Sequence, residues 1–149
     1  MSKRIVIIGA GSTNFGLGIV GDFFKSTILE GSTLVLHDIN AKTLENTNKI
    51  ALSFKEKLGV NFKIEATTSR KEALQNADFC LISIEVGNRF DLWDQDWKTP
   101  QQYGIKQVYG ENGGPGGLFH AMRQIPAIIS ICEDIEKICP ESFIFSYSN

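Results

Sequence analysis

The sequence predicts an α/β domain built on a doubly wound parallel sheet. Three observations carry that prediction. Short apolar runs alternate with stretches of helical periodicity along most of the chain. The first apolar run ends in a glycine turn that leads into a helix. The second run ends in a carboxylate.

Ile5 to Ile8 is β-branched and apolar, as in a strand buried on both faces. Gly9-Ala-Gly11 then turns the chain, and an amphipathic stretch follows from about Thr13 to Ile28. Strand, glycine turn and helix form the setting in which G-x-G binds a dinucleotide. Gly9 permits the tight turn. Gly11 lacks a Cβ, so backbone can approach a pyrophosphate, and the helix end beyond it offers unpaired N–H groups to the anion. Ser12 and Thr13 add hydroxyl donors or cap the helix. The third glycine position of G-x-G-x-x-G is Asn14. That glycine serves close helix–strand packing, so its replacement need not remove the anion site.

Leu34 to Asp38 is the second strand, with its carboxylate at the end. An acid there accepts hydrogen bonds from an adenosine ribose diol and repels a 2′-phosphate, favouring NAD over NADP. The plainer reading of Asp38 is an exposed strand-end acid or a cap for the next helix. Asn40 is the expected N-cap of that helix. Leu44, Thr47, Ala51, Phe54 and Leu58 follow at helical spacing, and Gly59 closes it. Asn61 to Ala66 alternates and reads as a third, edge-proximal strand. Ser69 caps a short helix over 70–76, and Asp78 to Ile84 is a buried fourth strand. Leu118 to Ile138 is a helix that Pro126 should kink or split. Ser142 to Asn149 is the fifth strand.

The expected strand order is 3-2-1-4-5 in a Rossmann-like sheet spanning residues 1–149 as one domain. Ligands of such sheets sit outside the carboxyl ends of the strands, so Gly9 to Asn14, Glu85 to Arg89 and Asn149 are expected to face one crevice. The cofactor candidates are therefore Gly9, Gly11, Ser12, Thr13, Asn14, Asp38 and Glu85.

A length of 149 residues suits one domain, and 42% hydrophobic with 21% charged residues is ordinary globular composition. A net charge of −2 gives no basic field, which argues against nucleic acid or an acidic membrane surface as partner. Met1-Ser-Lys-Arg leads straight into a short strand, so no signal peptide is expected, and no apolar run approaches the roughly 20 residues of a bilayer span. Cys80, Cys132 and Cys139 suit reduced thiols in a cytoplasm. The spacing of the last two also permits a metal pair on one helix face, which no neighbouring histidine supports.

The stretch from Glu85 to Gly117 interrupts the alternation and is too long for an ordinary connection. Phe90, Trp93 and Trp97 are three and four apart, so part of it should be helical with an aromatic face. That face either packs on protein or, with Asp91, Asp94 and Asp96 nearby, suits a sugar. Four glycines then flank Pro115, with Glu111 just before them. From the residues alone, Glu111 is a general base, a carboxylate supporting another group, or a loop-stabilising acceptor.

Taken together, Gly9-Ala-Gly-Ser12, Gly110-Glu-Asn-Gly-Gly-Pro-Gly-Gly-Leu-Phe119, Arg123-Gln-Ile-Pro126, Asp134-Ile-Glu136, Cys139-Pro140 and Tyr147-Ser-Asn149 resemble glycoside hydrolase family 4. The resemblance covers nearly the whole chain. It implies bound NAD, a divalent metal, usually manganese, and a carbohydrate substrate. In that chemistry NAD removes hydride from sugar C3, which acidifies the C2 proton. A tyrosine takes that proton, the C1 leaving group is eliminated, water adds, and the ketone is reduced back. The resemblance places Asn149 on substrate hydroxyls and matches Glu111 to the acid that raises the tyrosine's basicity. The metal-binding Cys and His, the acid Asp and the tyrosine lie beyond Asn149 in that family. The chain is thus expected to be an amino-terminal, NAD-binding piece of a longer enzyme lacking its carboxy-terminal domain, inactive alone and homo-oligomeric when whole.

Family members acting on 6-phosphorylated sugars carry an arginine three residues before the acid matching Asp96. That position is Trp93, which cannot hold a phosphate dianion, so a non-phosphorylated sugar is expected. The segments Glu85–Phe90 and Tyr109–Asn112 look most like the α-galacturonidase branch, where Arg89 would pair with the uronate. The plainer reading of Arg89 is a loop arginine bonded to Asp91 or Asp94. An ordinary NAD-dependent hydroxyacid or sugar dehydrogenase and a non-enzymatic NAD-binding module remain alternatives. Exposed apolar surface is expected on the helix from Leu118 and on the fifth strand.

Overall fold

A computed structural model describes residues 2–12, 16–107 and 113–147. Its elements in chain order are β1 (Arg4–Ile8), α1 (Gly16–Phe24), β2 (Thr33–His37), α2 (Ala41–Leu58), β3 (Lys63–Thr67), α3 (Arg70–Ala73), β4 (Phe79–Ile82), α4 (Arg89–Gln101), α5 (Gly114–Ile138) and β5 (Phe143–Ser146). The five strands form one parallel sheet in the expected order β3-β2-β1-β4-β5. Two compact units are formed: Met1–Ile84 with Glu133–Tyr147, and Glu85–Cys132.

The first unit holds the sheet. Alternate residues Ile5, Ile7, Leu34 and Leu36 are at most 1% exposed and cluster with Val20 and Phe24 of α1 and Leu44 and Ala51 of α2. Each such side chain contributes about 1.5–3 kcal/mol by leaving water. α2 forms where its signals are local. Asn40 accepts from the amides of Lys42 and Thr43, and Gly59 ends the helix at φ 65°. Its apolar stripe runs out early. Phe54 and Leu58 are exposed, and Phe62, with its ring centroid 5.5 Å from that of Phe24, fills that end of the core instead.

Other boundaries also differ from expectation. α1 stops at Phe24 rather than near Ile28, because Lys25 and Ser26 close i→i−3 bonds onto Asp22 and Phe23. α3 is one turn, capped by Ser69 as expected. Pro126 does not split α5, which is one continuous helix. Pro126 and Met122, whose carbonyl loses its helical donor, are both exposed, so the lost bond lies on the solvent side of the helix.

α4 confirms a helix inside the long stretch, but its buried positions are Asp96 and Pro100, while Phe90 is exposed. As expected, Leu118, Met122, Ile125 and Ile129 of α5 and Phe143, Phe145 and Tyr147 at β5 are exposed apolar residues. Cys80 and Cys139 are buried free thiols, and Cys132 is half-buried. Ser142 Oγ lies 3.8 Å from Cys80 Sγ and 3.6 Å from Cys139 Sγ. No helix among the described residues is long and apolar enough to cross a membrane.

Candidate functional site

In the first unit, Gly9, Gly11, Ser12 and Asp38 come together at the carboxyl ends of β1 and β2. Gly9 has φ 91°, and a Cβ there would lie 2.0 Å from the Ser83 carbonyl oxygen, so only glycine fits. Gly11 is bare beside the end of β2. A Cβ would meet Thr43 Oγ1 at 2.4 Å and Asp38 Oδ2 at 2.7 Å, so the missing side chain makes room for the Asp38 carboxylate.

That carboxylate organises the turn. Oδ2 accepts from Gly11 N and Oδ1 from Asn40 N, each at 2.8 Å. Gly9 N and Ala10 N both donate to His37 O, and Ser12 N donates to Gly9 O. All four amides of Gly9 to Ser12 donate within the chain, so the unpaired amides expected beyond Gly11 fall to the helix end. Thr13 and Asn14, the next donors, lie outside the described residues, as do Glu111 and Asn149.

Gly16 is the residue that sequence reasoning missed. A Cβ on it would lie 2.1 Å from Ala10 O. This is the close helix–strand approach that the third glycine of the motif serves, displaced two positions past Asn14. A glycine at the first position of α1 was the available signal. Asp38 does fill the plainer role of holding the turn into α2. Among the described residues each of its oxygens accepts one hydrogen bond, which leaves acceptor capacity for a ligand donor, and Ile39 beside it is 90% exposed.

In the second unit, Glu85 and Arg89 come together. Arg89 Nε lies 4.0 Å from Glu85 Oε2, and the guanidinium carbon sits 4.3 Å from the centre of the Trp93 ring. Asn88 donates to Asp91, and Lys98 donates to Asp94. Gln124 Nε2 donates to Glu85 Oε1, and His120 Nδ1 lies 3.8 Å from the same oxygen.

Buried Asp96 receives both terminal nitrogens of Arg123. That hydrogen-bonded pairing raises the guanidinium pKa above its ordinary value. Gln107 spans the same region, donating to the Asp96 carbonyl at 3.0 Å and accepting from Gly116 N at 3.2 Å. A Cβ on Gly116 would lie 2.8 Å from Gln107 Nε2, so the glycine-rich block is partly a seat for this side chain. The sequence reading did not single out Gln107 or Gln124, nor pair Asp96 with Arg123, because these contacts span 9 to 39 residues. Among the described residues, no group of three or more His, Cys, Asp or Glu is placed to hold a metal ion.

The model of the family described as Family 4 glycosyl hydrolase matches residues 4–149. An alpha-glucosidase of Erwinia rhapontici is 57% identical over 149 residues, covering all of this chain and 33% of its own length. An alpha-galacturonidase of Thermoanaerobacter italicus (strain DSM 9252 / Ab9) is 34% identical, over 98% of this chain and 31% of its own length. The crystal structure of a 6-phospho-alpha-glucosidase from gut microorganisms, in complex with NAD and glucose-6-phosphate, superposes with a TM-score of 0.87 at 26% identity, covering all of this chain and 33% of that one. The chain spans about a third of the length of these relatives. With its glycine turn, its carboxylate-ended second strand and a family match running from β1 to the last residue, the chain belongs to family 4 of the glycosyl hydrolases.

Proposed function

We propose that this chain is the NAD-binding amino-terminal region of a family 4 glycosidase acting on a non-phosphorylated α-glycoside. The observation that carries the reading is the Gly11–Asp38 pair. The carboxylate is fixed by two backbone donors, is partly open to solvent, and lies beside exposed Ile39. Such a group accepts from the hydroxyls of an adenosine ribose and rejects a 2′-phosphate by charge, while Ile39 offers adenine an apolar ledge. Thr13 and Asn14 are the proposed donors to the diphosphate, and Glu111 and Asn149 are proposed to act on the sugar side. NAD, when bound, supplies the reversible removal of hydride from the sugar. Manganese, for which the described residues offer no donor set, is assigned to residues beyond Asn149.

Trp93 in the place of a phosphate-binding arginine supports an unphosphorylated sugar. The 57% identity to an alpha-glucosidase, against 34% to an alpha-galacturonidase, favours an α-glucoside over the α-galacturonide that Arg89 suggested.

The test is NAD titration of the whole protein and its Asp38→Ala variant, followed by cleavage assays with α-glucoside, α-galacturonide and 6-phosphoglucoside. Asp38→Ala should weaken NAD about 10- to 100-fold, the equivalent of one or two hydrogen bonds to a charged group. It should also raise the relative affinity for NADP, which a merely damaged turn would not do. Unchanged NAD affinity, or net NADH release in step with turnover, would overturn the reading.

A further inference from the structure

α5 buries a polar stripe in the second unit. Gly116, Gly117, His120 and Gln124 are its buried positions there, with His120 4% and Gln124 1% exposed. The two side chains are one turn apart and share a helix face. A buried amide costs about 1–3 kcal/mol when its hydrogen bonds are incomplete. Gln124 Oε1 is such an atom, buried and without a partner among the described residues. Both residues converge on one atom, Oε1 of Glu85. The Glu85 side chain is itself 26% exposed, so its carboxylate is reachable from outside. Its other oxygen faces Arg89, stacked on Trp93.

We propose that Glu85 binds a hydroxyl of the sugar and that His120 and Gln124 are positioning residues holding its carboxylate for that purpose. The proposal rests on the glycosidase reading and moves Glu85 from the cofactor side to the substrate side. A carboxylate with one oxygen pinned from behind accepts from a hydroxyl, and a neighbouring guanidinium donates to a hydroxyl oxygen. A carboxylate and an arginine beside an indole face together match a vicinal diol on a pyranose ring. The buried amide and imidazole explain why the carboxylate is held there, because no apolar replacement could hold it.

The experiment uses the whole protein and compares wild type, Glu85→Gln, Gln124→Met and the double variant. It reads KM and kcat for the α-glycoside, NAD affinity, and calorimetric binding of methyl α-glucoside with and without NAD. Glu85→Gln should raise KM and weaken methyl α-glucoside about tenfold, with NAD affinity within twofold of wild type. Gln124→Met should weaken the sugar three- to tenfold alone and less than twofold when added to Glu85→Gln, since it acts through that carboxylate. If Gln124→Met does not fold, His120→Asn takes its place. Sugar binding that is unchanged, an effect that adds fully to that of Glu85→Gln, or NAD affinity falling in parallel would each overturn the assignment. Failure of the NAD titration with sugar binding intact would instead overturn the cofactor reading alone.

Discussion

The first unit buries mainly hydrocarbon, and the second buries a larger share of ions and amides. Around β1 and β2 the inaccessible side chains are Ile5, Ile7, Leu34 and Leu36, and His37 there finds a backbone partner in Thr67 O. In the second unit the inaccessible side chains include Asp96, His120 and Gln124. One helix shows the change along its own length. The buried stripe of α5 runs through His120 and Gln124 and turns apolar near the end of the second unit, at Ile131, continuing with Ile135 of the first. Apolar burial is non-directional and stabilises almost any compact arrangement. Buried polar groups stabilise only one arrangement and cost energy in every other. The first unit is therefore held mainly by non-directional packing, and the second more by directional contacts.

Four expected outcomes test that division, the largest first. Gly9→Val should be the most damaging, since it forces a Cβ against the Ser83 carbonyl at positive φ. A loss of more than about 4 kcal/mol is expected in a denaturant titration. Gly18→Ala in α1, where a Cβ meets nothing within 4 Å, should instead stabilise by up to about 1 kcal/mol and serves as its control.

Asp96→Ala should cost about 2–4 kcal/mol, because it leaves the partly buried Arg123 charge without its carboxylate. The double variant Asp96→Leu/Arg123→Met should recover most of that loss, whereas a core contact of the first unit, once deleted, has no such rescue. Asn40→Ala should cost about 1 kcal/mol, read as a lower midpoint, by removing the acceptor for two α2 amides.

The smallest effect is electrostatic. The hydrogen bond from Lys3, followed by that from the Arg4 amide, holds the Asp78 carboxyl below its usual range. Its contribution is present above the unfolded value near pH 4 and is lost as pH falls through the depressed folded value. Both partners are about a third exposed, so Asp78→Asn should cost less than about 1 kcal/mol at pH 7. The difference between variant and wild type should shrink on acidification below pH 4, read by paired urea titrations.

The strand order and the caps of α2 and α3 were legible because their signals are local. Alternation, an Asn or Ser before a helix and a glycine after it act within a few residues. Element ends were legible only approximately: nothing in Lys25-Ser-Thr-Ile28 announces that α1 has already stopped. The nucleotide turn was legible in type but not in detail. Gly16 escaped because the motif was read at fixed spacing, and the hydrogen bond from the Gly11 amide to Asp38 was not anticipated because the two are 27 residues apart. The second unit was least legible. Gln107 and Gln124 acquire meaning only from the groups they reach, and no periodicity marks a polar residue as buried.

The pair of inaccessible thiols beside Ser142 turns the sheet into its own reporter. Cys80 is fully enclosed in β4, between β1 and β5, whereas Cys132 is partly accessible. An alkylating reagent should modify Cys132 promptly and reach Cys80 only when β4 separates from its neighbours. The ratio of the two rates measures how often the centre of the molecule opens, with no mutation introduced.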